Sequence, residues 1–182
     1  SPTFDQELIR CEIIKDWLKK KNFEEYANYG ISETLATKLE KYDIRLNRNV
    51  QLNPEVKLGA FFAQVKTANV KCVVFNDPLR PTDNTDDVVK YLKSGGSIYF
   101  RSFSNELNDN KVFINAVLEA MKKGQVCVVL DKFGGDVRKM SMRERVLAEN
   151  IFIDDANWVE FENWHKQMVK LKAEFMGSAP PR

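Results

Sequence analysis

From residue 70 onward the chain alternates between two patterns. Short apolar runs, VKCVVF (70–75), SIYFRSF (97–103), QVCVVL (125–130) and NIFI (150–153), are separated by stretches with helical spacing of apolar residues. Three of these runs are continuously apolar, as strands covered on both faces are. Residues 86–93 and 110–123 carry apolar residues on one helical face. The glycines after them, Gly95-Gly96 and Gly124, are helix stops. Helices are also expected over 135–149 and 160–175. The alternation predicts an α/β fold, a three-layer α/β/α sandwich around a four-stranded, mainly parallel sheet.

Before residue 70 the spacing is helical. LIRCEIIKDWLKK (8–20) repeats apolar residues every three or four positions, with Asp5 as its expected cap. A second helix is expected over 32–41, capped by Ser32, and a third begins at Pro54. The reading is a single domain over 1–176. A helical N-terminal section, 1–68, packs on the sheet of 70–176, and 177–182 form a loose tail. No internal repeat or low-complexity segment interrupts it.

With 28 Lys and Arg against 26 Asp and Glu, the net charge of +2 excludes a generally basic nucleic-acid coat but not a local basic patch. No apolar run reaches the roughly 20 residues of a membrane helix. Residues 1–10 are polar, which predicts no secretory leader. Cys11, Cys72 and Cys127 lie far apart, two of them inside apolar runs, so all three are expected as reduced thiols of an intracellular protein in the cytoplasm or nucleus. One histidine, His165, argues against a triad or a zinc cluster.

In open parallel sheets, ligands collect at the carboxyl ends of the strands. Here that edge should carry Asn76, Asp77 and Arg80 after the first run and Arg101 after the second. Lys132 beside Asp131 follows the third, and Asn157 with Asp154 and Asp155 follows the fourth. Arg138, on the next helix, extends the set. The same residue types also cap helices and shape turns. Three of the four runs are followed within two residues by Asp, namely Asp77, Asp131 and Asp154, so a Mg²⁺-dependent phosphoesterase is one alternative. Gly134-Gly135 could meet an anion with backbone amides. The stripe Trp158, Phe161 and Trp164 has core spacing.

The order of these pieces resembles the uracil-DNA glycosylase superfamily. Its helix, Phe-rich face and strand of the type VKVVILGQDPYH are similar to PEVKLGAFFAQVKTANVKCVVFNDPLRP here. YLKSGGSIYFRS and QVCVVLDKFGGDVRK are similar to its next two strands, and NIFIDDANW stands where the family carries its HPS motif. The resemblance implies that Asp77 matches the family's water-activating Asp. The family's Gln, Tyr and His around it are Asn76, Leu79 and Arg80 here. The Asn that reads the pyrimidine edge is matched by Arg101, and the His that stabilises the leaving uracil anion falls at Ala156 or Asn157. The segment carrying the Phe on which uracil stacks has no room between Arg80 and Ser97. Glycosidic cleavage needs a reader and an anion stabiliser, so the implied function is a catalytically inactive binding module with a vestigial Asp77 and no cofactor. Some poxviral members of this fold serve as polymerase processivity subunits. A protein partner is favoured, with nucleic acid bound weakly at most and no membrane. The alternative within the family is an active glycosylase using Asp77.

The middle segment, FNDPLRP followed by DVVKYLKSGGSIYFRSF, also looks like the latter half of a class I methyltransferase. That alternative requires a strand and a Gly turn before residue 70 to hold adenosylmethionine, and the sequence is read as offering neither.

Overall fold

The structure is a computed structural model. It describes residues 4–30, 32–50, 57–101, 103, 105–131, 150–153 and, in the last segment, 159, 162, 163, 166, 170, 173 and 174. The elements run α1 (Phe4–Lys20), β1 (Glu25–Tyr29), α2 (Glu33–Glu40), β2 (Arg45–Leu46), α3 (Leu58–Ala68), β3 (Cys72–Phe75) and α4 (Asp86–Lys93). They continue with β4 (Ser97–Phe100), a 3-10 turn (Asn105–Asp109), α5 (Lys111–Lys122), β5 (Val126–Asp131) and β6 (Asn150–Ile153).

The sheet has six strands in the order β2-β1-β3-β4-β5-β6. The first five are parallel, and β6 lies antiparallel on β5. The α/β class and the four expected strands are therefore present as neighbours, and the sheet is larger than expected. The extra strands, β1 and β2, come from the N-terminal section, which is not purely helical. The sequence conceals them for a physical reason. β1 carries Glu25 and Asn28 inside five residues, and β2 is two residues long. Only pairing with a distant neighbour makes either a strand.

The local signals explain the helix ends. Ser32 Oγ accepts from the Leu35 amide at 3.2 Å, and Asn110 Oδ1 accepts from that of Phe113 at 3.1 Å; both are side-chain N-caps. α1 begins at Phe4, so Asp5 lies within its first turn instead of capping it. α4 is closed by the Gly96 amide on the Tyr91 carbonyl and the Gly95 amide on that of Leu92, with Gly95 at φ +95°. Tyr91 donates its hydroxyl to the Val70 carbonyl, which fastens α4 to the chain entering β3.

Alternate strand residues face two separate cores. Val73, Phe75, Ile98, Phe100 and Val128 meet α3, α4 and α5 on one face. Tyr26, Cys72, Val74, Tyr99 and Cys127 meet α1 and α2 on the other. Glu12 and Lys38 form an ion pair at 2.5 Å that ties those two helices together. The division follows from connection handedness. The chain steps one way from β1 to β2 and the other way from β2 through β3, β4 and β5. Right-handed crossovers then put α2 on one face and α3, α4 and α5 on the opposite one. β1 and β3 are the adjacent strands from which the chain leaves in opposite directions. Their carboxyl ends form the switch point at which doubly wound sheets open a crevice. The expected helix at 135–149 lies outside the described residues, as does most of that at 160–175.

Candidate binding edge at the β1/β3 switch point

The parallel ladder continues one residue past the strand ends. The Asn76 amide donates to the Tyr29 carbonyl at 2.9 Å, and the Arg101 amide to that of Phe75 at 3.1 Å. Asn76 and Arg101 are thereby held side by side at the carboxyl edge. Asn76 Nδ2 donates to Oδ1 of Asn28, whose side chain is fully buried in β1. Arg101 Nη1 donates to the Asn76 carbonyl at 3.0 Å. Two of the residues singled out from the sequence thus bind each other and a third, Asn28, that the sequence did not mark.

Asp77 leans on the turn after β1. Gly30 has φ +99°, a conformation that side chains rarely adopt. A Cβ there would stand 2.9 Å from Cγ and Oδ2 of Asp77 and 3.1 Å from its amide nitrogen. Gly30 thus supplies both the tight turn into α2 and the room for Asp77, itself exposed to solvent.

Arg80 belongs to a turn of its own. Its amide donates to Asp83 Oδ2 at 2.8 Å, and its guanidinium lies 3.7 Å from Asp83 Oδ1. The Arg80 side chain is 70% exposed and that of Asp83 12%. Tyr29 stands on the same side, edge-on to Phe61 at 5.0 Å between ring centroids. Burial raises its hydroxyl above the ordinary tyrosine range. The negative charges of Asp83 and Asp77 act the same way, and Arg80 acts against them. The groups gathered at the switch point are therefore Tyr29, Asp77, Arg80 and Asp83. Leu79 and Phe103 pair as an isolated parallel bridge below them.

The expected set is only partly assembled by the described residues. Asn76, Asp77, Arg80 and Arg101 share one edge. Lys132, Arg138 and Asn157 lie outside the described residues, as do Asp154, Asp155, Gly134-Gly135 and His165. Among the described residues, no three His, Cys, Asp or Glu side chains come together in a way that could hold a metal ion. The three cysteines are buried and not joined in disulfides, and none of the described helices is long and apolar enough to cross a membrane. Asn28, Tyr29, Gly30 and Asp83 were not legible as site residues. The one local hint was Gly30-Ile31-Ser32, a turn residue followed closely by a helix cap.

No family model matches the chain, and no curated protein matches it. Among solved structures, it is similar to a histidinol-phosphate aminotransferase from Clostridium acetobutylicum. That likeness has 12% identity and a TM-score of 0.47, and it covers 80% of this chain and 43% of the other. The chain spans less than half the length of that structure.

Proposed function

We propose that this chain is a catalytically inactive binding module with a uracil-DNA-glycosylase-like scaffold, and that it recognises a protein partner with the carboxyl edge around β1 and β3. One observation carries the reading: the polar residues of that edge are engaged with one another. Arg101, which stands where the resemblance expects a pyrimidine reader, donates to the Asn76 carbonyl. The Asn76 amide group is committed to Asn28. The remainder is mixed in charge, with the exposed Asp77 and Arg80 beside the largely buried Asp83. Phosphate contacts need a surplus of positive charge, whereas a mixed polar rim around aromatic side chains such as Tyr29 is ordinary protein-interface chemistry.

DNA affinity as a function of salt tests the choice of partner. Expected is weak binding, on the order of 10⁻⁴–10⁻⁶ M or poorer, with a salt slope that Arg80→Ala leaves unchanged. Tight binding with a steep slope that Arg80→Ala flattens makes the module a nucleic-acid binder instead.

A second reading is favoured by one specific observation. A strand–turn–helix does precede residue 70, since β1, Gly30 and α2 form one at the switch point. The expectation that neither a strand nor a Gly turn precedes residue 70 is therefore overturned, and this favours a class I methyltransferase-like protein as the second reading. In this reading, adenosylmethionine displaces Asp77 from Gly30. Saturable calorimetric binding at micromolar ligand supports it, and no heat at millimolar ligand removes it.

A further inference from the structure

On the α1 face of the sheet, hydrogen-bond donors are buried without acceptors. Asn28 on β1 and Tyr99 on β4 both flank Val74 of β3 in register. Their side chains therefore lie in one row, two strand spacings or roughly 10 Å apart along the backbone. Asn28 is 0% exposed and Tyr99 1%. Asn28 Nδ2 and the Tyr99 hydroxyl have no hydrogen-bond partner, and neither do Nε and Nη1 of Arg10, which are buried too.

Arg10 comes to this row from α1. That helix ends at Lys20, and a short turn, residues 21–24, leads into β1. Its last turn is thus at the amino edge of the sheet and its first turns are at the carboxyl edge, where its dipole is positive. Arg10 and Arg101 are the positive charges that act on the Tyr99 hydroxyl, and Arg10 lies against it without reaching hydrogen-bond geometry. Arg101, one row nearer the edge than Tyr99, is half-buried, as is Arg10. The row of orphaned donors thus lies beside two guanidinium groups, that of Arg10 and, on the carboxyl-edge side, that of Arg101.

A guanidinium with two buried and unsatisfied nitrogens is costly unless a counter-charge meets it. The nearby acid on α1, Glu12, is already engaged by Lys38 and Lys15, which hold its carboxyl below the usual range. We infer that Arg10, Tyr99 and Asn28, with the charge of Arg101 beside them, form a binding site for a phosphate-type oxyanion under the first turns of α1. Such a group accepts from several donors at once and matches the planar fork of arginine. The site lies on the opposite face from Tyr29 and Arg80 and does not depend on the protein-partner reading.

Titration calorimetry of the full chain with inorganic phosphate, at constant ionic strength with chloride as the balancing anion, tests it. Expected is saturable binding that Arg10→Met weakens by at least about tenfold. Tyr99→Phe should weaken it less, and Lys66→Ala, on the exposed side of α3 across the sheet, should leave it unchanged. Should Arg10→Met fail to fold, Arg10→Lys serves, because a point charge cannot reproduce the fork and affinity should still drop. Independently, phosphate should raise the wild-type melting temperature where chloride does not. No phosphate heat, equal affinity in the Arg10 variant, or acetate binding as tightly as phosphate each overturns the assignment.

Discussion

Asp77 occupies the space that a side chain at Gly30 would need, with its Cγ and Oδ2 each 2.9 Å from where a Cβ would stand. β1 and β3 diverge at this point, and the crevice expected of a doubly wound sheet is partly filled by the chain's own carboxylate. Gly95 provides the comparison. It has nearly the same φ, +95°, with nothing within 4 Å of its missing Cβ.

Gly95→Ala should therefore cost only the backbone strain, about 1–3 kcal/mol. Gly30→Ala should cost about 1 kcal/mol or more beyond that, because Asp77 must move as well. Urea denaturation of both variants measures the difference. Adding Asp77→Ala to Gly30→Ala should recover part of the excess, since it removes the side-chain contacts but not that of the Asp77 amide nitrogen, and equal losses at the two glycines would remove the steric role given to Asp77.

The Asn28–Asn76 pair is structural. Asn76→Ala leaves the buried Asn28 Oδ1 without its donor and should lower stability by about 1–3 kcal/mol. Asn28→Ala removes the other half of the same bond. The double variant should lose less than the sum of the singles, as coupled partners do. Additive losses in denaturant titrations count against the pairing.

Stability should fall in alkaline solution. Burial raises the hydroxyls of Tyr26, Tyr91 and Tyr99 and the thiol of Cys72 above their ordinary ranges. In each case the folded state holds its proton to a higher pH than the unfolded state does. Their contribution is complete below the unfolded values, about 8.5 for a thiol and 10 for tyrosine, and is lost as pH rises above them. Denaturant titrations across that range should show a decline that Tyr91→Phe makes shallower. A flat profile contradicts the burial of these groups.

The Arg80–Asp83 pair is largely solvated on the arginine side, with the Arg80 side chain 70% exposed. Arg80→Ala should change stability by no more than about 1 kcal/mol. A larger loss on thermal or chemical denaturation would make Arg80 a structural residue and unsuitable as a probe of binding.

What could be read from the sequence was whatever a local pattern determines. α4 and β6 fall where apolar spacing and Gly stops put them, at Asp86–Lys93 and Asn150–Ile153. Ser32 caps α2 as its position predicts. The site was legible only on the β3 and β4 side, where Asn76, Asp77, Arg80 and Arg101 follow obvious strands. Its other half, Asn28, Tyr29 and Gly30, belongs to a strand whose sequence, EYANY, carries too little apolar signal to stand out. That strand becomes central only because β2 and β3 close on either side of it, which is long-range information. Arg10 and Tyr99 read as an ordinary helix surface residue and an ordinary strand aromatic. Their juxtaposition needs the placement of α1 across β3 and β4.

The proposal that this chain is a binding module without glycosylase chemistry is tested most directly by incubating the full chain with uracil-containing single- and double-stranded DNA and measuring free uracil. Wild type and Asp77→Asn should both release no more than a protein-free control, because Arg101, at the position where the proposed glycosylase-like reading puts a pyrimidine reader, donates to the Asn76 carbonyl. Release by wild type that disappears in Asp77→Asn would contradict the binding-module reading and make Asp77 the catalytic residue of an active enzyme.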